Sequence, residues 1–129
     1  GGELSRIMLA IKTVLADSDD IPTLIFDEID TGISGRTAQK VAEKLAVISR
    51  NHQVICITHL PQIASMADCH FEIKKSTDGE STKTRILRLN EKDTVTELAR
   101  LLGGAQITEA VLQNASEMKK LAEQTKKRR

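Results

Sequence analysis

Apolar residues recur at helical spacing at the start of the chain. Leu4, Ile7, Met8, Ile11 and Leu15 form one stripe, which predicts an amphipathic helix from Glu3 to Ala16. The Asp- and Pro-containing run "DSDDIP" breaks it. Thr23 to Phe26 is short, apolar and partly β-branched, the pattern of a central strand covered on both faces. "TGISG" then reads as a turn, with Ser34 as N-cap of a helix from Gly35 to Arg50. Its stripe is Ala38, Val41, Leu45 and Ile48. "NHQ" ends that helix, and Val54 to Ile57 is a second buried strand. Strand, helix and strand, with about 30 residues from one strand to the next, predict parallel pairing and a right-handed crossover.

The pattern then changes. "LPQIASMAD" reads as one short helix begun at its proline. Phe71 to Lys75 and Lys83 to Leu89 alternate apolar and charged residues, so they predict a hairpin with one wet face, joined by the polar loop "STDGEST". Two helices follow. Asp93 to Leu102 stops at Gly103-Gly104, and Ile107 to Gln124 carries Ile107, Val111, Ala115, Met118 and Ala122 on one side. The expected class is α/β: parallel core strands, a β-hairpin and C-terminal helices. No internal repeat is visible, and the one biased run is the final "KKRR".

Composition narrows the functions available. At 129 residues, 40% of them hydrophobic, the chain has the size and core of one domain. A formal net charge of +1 points to no particular partner. With two Phe, no Tyr and no Trp, the composition argues against base stacking on an aromatic platform as the recognition mode. No apolar run approaches the roughly 20 residues that would span a bilayer. Cys56 and Cys69 lack metal-ligand spacing and read as reduced thiols of a cytosolic protein.

The chemistry sits in "TLIFDEID", where an apolar strand runs straight into Asp27 and Glu28, with a third acid at Asp30. The C-terminal edge of strands in an open α/β sheet is where ligands bind. Two adjacent acids there can divide the work. One can orient a magnesium ion, which favours a few carboxylates plus phosphate oxygens. The other can act as general base towards an attacking water. The alternative is a pair of solvated loop acids before a helix, where negative charge is favourable in any case. Two further features bear on the choice. Gly1 and Gly2 directly precede a helix, whose N-terminal amides form an anion site. "ITH" ends the second strand and puts His59 at the same sheet edge, within reach of a terminal phosphate. Each alone has a bland reading, as turn glycines or as a structural histidine.

In this order and spacing, "GGELS", "LIFDEID" and "ITH" resemble the end of the signature motif, the Walker B strand and the switch-histidine loop of ABC-type ATPase heads. The likeness is nearest to the SMC-like heads, which carry "DE-hydrophobic-D" where transporters carry "DEPT", and within them to a bacterial DNA-repair branch. It covers nearly the whole chain, and it implies a three-layer P-loop NTPase-like fold of which residues 1–129 are the C-terminal lobe. By resemblance, Gly1 and Gly2 bind the γ-phosphate held by the opposite subunit. Asp27 orients magnesium, Glu28 is the catalytic base, and His59 senses the γ-phosphate. The family pattern has an aspartate in the D-loop six residues after the catalytic glutamate. Ser34 stands there, which leaves the cross-subunit role of that position open.

No stretch reads G-x-x-x-x-G-K-[ST], the loop that cradles the β- and γ-phosphates. The resemblance therefore implies a fragment: an N-terminal lobe with that loop, and a long coiled coil, would lie upstream. ATP and magnesium are the implied cofactors. DNA, the N-terminal lobe of the same head and a second head are the implied partners, in the bacterial cytoplasm at the nucleoid and not at a membrane. Two other readings stay open: a non-enzymatic interaction lobe with vestigial acids, and the nucleotide-binding lobe of a transporter. For the basic end, Lys119, Lys120 and Lys126 to Arg129, the choices are DNA phosphates or a frayed, solvated helix end.

Overall fold

The computed structural model describes residues 1–15, 18 and 20–128. The expected end of the first helix at Ala16, part of the Asp-rich break and the final arginine lie outside the described residues. The elements are α1 (Gly2–Val14), β1 (Thr23–Phe26), α2 (Gly35–Ile48), β2 (Gln53–Cys56), α3 (Pro61–Ala64), β3 (Phe71–Asp78), β4 (Ser81–Arg88), α4 (Glu91–Gly103) and α5 (Glu109–Lys127). The class is α/β, as expected.

β1 and β2 pair in parallel, with Thr23 opposite Gln53 and Phe26 opposite Cys56. α2 makes the crossover and covers one face of this pair. Leu24 and Phe26 point into a core with Val41, Ala42, Leu45 and Ile48 of α2, joined by Ile29, Ile63 and Met66. The opposite face corrects the expectation of a strand covered on both sides. Because side chains alternate along a strand, Ile25, Ile55 and Ile57 fall on that other face and stay open to solvent, Ile25 at 69%.

α1 departs from its pattern in the same direction. Its apolar stripe faces outward: Leu4, Ile7, Met8, Ile11 and Leu15 are all exposed, Leu4 at 66%. The helix docks instead through Gly2 and Leu9, with Ser5, Arg6 and Thr13 partly buried beside them. Hydrogen bonds explain this choice of face. Ser5 donates to the Asp27 carbonyl at 3.1 Å, and the Arg6 guanidinium donates to the carbonyls of Ile29 at 3.1 Å and Thr31 at 2.7 Å. The loop's carbonyls need donors, and only the polar side of α1 supplies them.

The hairpin is longer and wetter than its sequence predicts. β3 and β4 run in register from Phe71–Arg88 to Asp78–Ser81, so "STDGEST" is mostly strand and the loop is Gly79-Glu80. Gly79 takes φ +61, which a two-residue hairpin turn requires at its first position. Both faces are exposed, Phe71, Ile73, Ile86 and Leu87 included.

α4 and α5 form a helical pair around a second core of Leu98, Ala99 and Ala115 with Ala64 of α3. Asn90 and Thr108 cap them, accepting from the amides of Asp93 and Val111. α5 also corrects the reading of the basic end. The Lys126 side chain is only 4% exposed, paired with Asp68 at 2.9 Å and Glu123 at 2.7 Å. Lys119 donates to the carbonyls of Ser65 at 3.0 Å and Ala67 at 2.7 Å. These two lysines bolt α5 onto the segment after α3. Burial alone would raise the pKa of Glu123, but hydrogen bonds from Lys126 and Lys119 outweigh it and hold the carboxyl below its ordinary range.

Lys126→Ala is expected to lower stability by about 2 kcal/mol, the scale of hydrogen bonds to a charged group. Lys127→Ala, on the exposed side, should change it by less than about 0.5 kcal/mol; urea unfolding measures both. Glu123 is depressed in the fold, so its contribution is full above the ordinary carboxylate range and lost as pH falls through its folded value. The gap between wild type and Lys126→Ala should therefore narrow in acid.

Candidate functional site

The site is built on the loop that leaves β1. Asp27 and Glu28 follow Phe26 directly, and both are exposed. Glu28 has φ +61, the one left-handed non-glycine among the described residues. An L-residue pays roughly 1–2 kcal/mol for that conformation, so the surroundings must hold it. They do so from three sides. Ile29, the next residue, is fully buried in the main core. The Thr31 amide donates back to the Glu28 carbonyl at 3.1 Å, closing the turn. From α1, Ser5 and Arg6 take the loop carbonyls described above, and Gly2 packs against it. A Cβ on Gly2 would lie 2.7 Å from the Glu28 carbonyl oxygen and 2.9 Å from Thr31 Cβ. Glycine is required at that position because the loop backbone occupies the space a side chain would need.

The second strand brings its end to the same rim. The Ile57 amide donates to the Phe26 carbonyl at 3.0 Å, carrying the parallel ladder one step past β2. Thr58 and His59 then meet Asp30. One carboxylate oxygen of Asp30, Oδ2, accepts from the Thr58 hydroxyl at 2.7 Å and the His59 amide at 3.0 Å, and lies 2.8 Å from His59 Nδ1. Asp30 is 5% exposed, while the His59 side chain is 75% exposed. Burial pushes the Asp30 carboxyl up. The Thr58 hydroxyl, the His59 amide and the His59 ring outweigh it and keep it below the ordinary carboxylate range. On the covered face, burial first, then the charges of Asp30 and Asp27, push the Cys56 thiol up to about 12, so it stays protonated and inert.

The structure thus gathers Gly2, Asp27, Glu28 and His59 around one loop at the C-terminal edge of the parallel pair. Gly1 is exposed at the N-cap of α1. Ser34 lies at the far end of the loop, past left-handed Gly32, as N-cap residue of α2; its hydroxyl makes no capping bond. Among the described residues, no group of three or more His, Cys, Asp or Glu side chains could hold a metal. A single carboxylate can contribute to a magnesium site where phosphate oxygens and water fill the ion's remaining positions. Two shallow depressions lie along α5 against α2, lined by residues such as Gln39, Met118 and Thr125.

Sequence reasoning missed Asp30, Thr58, Ser5 and Arg6. The third acid of "DEID" was visible, but its burial was not. The signal available was a Thr-His pair ending the strand that neighbours it.

No family model matches the chain. It is similar to DNA repair protein RecN of Bacillus subtilis, at 47% identity over 126 residues, 98% of this chain and 22% of that protein. The RecN of Haemophilus influenzae is 51% identical over 118 residues, 92% of this chain and 21% of that protein. The RecN of Streptomyces coelicolor is 41% identical over the same share of this chain. The chain spans about a fifth of the length of the curated relatives it matches.

Gly2→Ala should force α1 off the loop and cost about 1–3 kcal/mol, the range for overpacking a filled site. Gly1→Ala, with nothing within 4 Å of its added carbon, should be close to neutral. Thermal unfolding of the two variants checks this, and equal effects would contradict the close packing described.

Proposed function

The chain matches a C-terminal segment of the RecN family of DNA repair proteins along nearly its whole length, and on that premise we propose that it is half of a composite ATP-cleaving site. Asp27 would hold magnesium through one carboxylate, with phosphate oxygens completing the shell; the ion, when bound, neutralises phosphate charge. Glu28 would take the proton of the attacking water. His59 would present its outer ring nitrogen to the terminal phosphate. Gly1 and Gly2 of one head would meet the γ-phosphate seated in another, with Ser34 at the interface between them.

The P-loop and its lysine would come from an N-terminal lobe. The bare sheet face of Ile25, Ile55 and Ile57 fits the covering layer that a three-layer P-loop fold supplies. ATP would then join two heads into a dimer, and hydrolysis at Glu28 would release it. That cycle would engage DNA in recombinational repair of double-strand breaks, in the cytoplasm at the nucleoid. No described helix is long and apolar enough to cross a membrane.

One observation supports this reading most: Asp27, Glu28 and His59 share one rim, tied through Asp30, on a chain whose sequence contains no phosphate cradle. In a full-length RecN-type protein carrying this chain, Glu28→Gln is expected to keep ATP binding and to slow turnover roughly 100-fold or more. Turnover at the wild-type rate would remove Glu28 as the base.

A further inference from the structure

We propose that Asp30 is the positioning residue for His59, deepening the reading above, on which it rests. A buried carboxylate is costly unless it is fully hydrogen-bonded. Asp30 draws three groups of two adjacent residues, Thr58 and His59, onto its Oδ2, and two of the three belong to His59. The Thr58 hydroxyl in turn accepts from the Leu60 amide at 3.1 Å, so the segment after β2 is wound around this one oxygen.

The third bond carries the function. With Nδ1 2.8 Å from a carboxylate, that nitrogen carries the proton, and the tautomer is fixed. The ring is otherwise free in solvent, with 75% of its side chain exposed, and an unheld imidazole would sample several rotamers. The bond to Asp30 selects one of them and leaves Nε2 on the open side of the rim. With Nδ1–H taken up by Asp30, Nε2 is left to face the terminal phosphate and the attacking water. Asp30 touches no reacting atom in this arrangement. It lies on the inner side of the loop whose outer side carries Asp27 and Glu28, and it acts through His59.

A double-mutant cycle on ATP turnover in a full-length RecN-type protein carrying this chain tests the assignment. Asp30→Ala and His59→Ala should each lower kcat roughly 10- to 100-fold, the usual loss when a ligand-orienting partner is removed, with KM for ATP largely unchanged. The double variant should be no slower than His59→Ala alone, because both losses pass through one ring. Asp30→Asn keeps shape and an acceptor oxygen. It should recover part of kcat, and it replaces Ala in the cycle if the Ala variant does not fold. Losses that multiply in the double variant, or an Asp30 variant with wild-type kcat, overturn the proposal. Glu28→Gln run alongside separates the two questions: if it turns over normally the base assignment falls, while the cycle still reports the coupling of Asp30 to His59.

Discussion

The backbone turn from Asp27 to Thr31 is the constraint on which the rest of the molecule depends. It leaves a two-stranded parallel sheet at its C-terminal edge and places a non-glycine residue, Glu28, in the left-handed region. Such strain persists only where the surroundings over-determine it. Here Ile29 anchors the turn in the core, α1 supplies donors to its carbonyls, and Asp30 ties it to the end of β2. Remove any one of these and the two outward acids lose a fixed backbone.

That clamp has a mechanical consequence. Gly2 and the turn are packed so closely that no Cβ fits between them. In the composite site proposed for paired heads, the glycines would read one nucleotide while the acids act on the other. A shift of α1 on engaging the partner's phosphate would then be felt at Glu28 directly, through contacts of backbone on backbone. The lysines of α5 close the other side. Lys119 and Lys126 grip residues 65–68, just beyond the helix that follows His59, so the His59 segment is held from both ends.

Much of this was legible in the sequence, for identifiable reasons. The strand–helix–strand unit announced itself through uninterrupted apolar runs and a clear 3.6-residue stripe on α2. The acids and His59 were placed by the rule that ligands meet the C-terminal ends of strands. What failed were inferences from apolar pattern to burial. Leu4, Ile7, Met8 and Ile11 make a stripe fit for a core, yet they face out, because the polar side of α1 is needed for carbonyls of the turn. Ile25 and Ile55 have a strand's composition and only half a strand's cover. Periodicity reports that a face is apolar, not that this chain covers it. Lys126 and Asp30 failed the opposite way: charged residues near an end or in a loop look solvated, and only three-dimensional pairing shows them buried.

The central claim is that the metal-side acids and the histidine form half of a phosphate site. Titration calorimetry with ATP and magnesium tests it most directly, on this chain alone and on the same chain joined to the P-loop lobe of a RecN-type protein. Magnesium-dependent binding that arises only in the joined form is the predicted result. Equally tight binding by the chain alone, or none in either form, would contradict it.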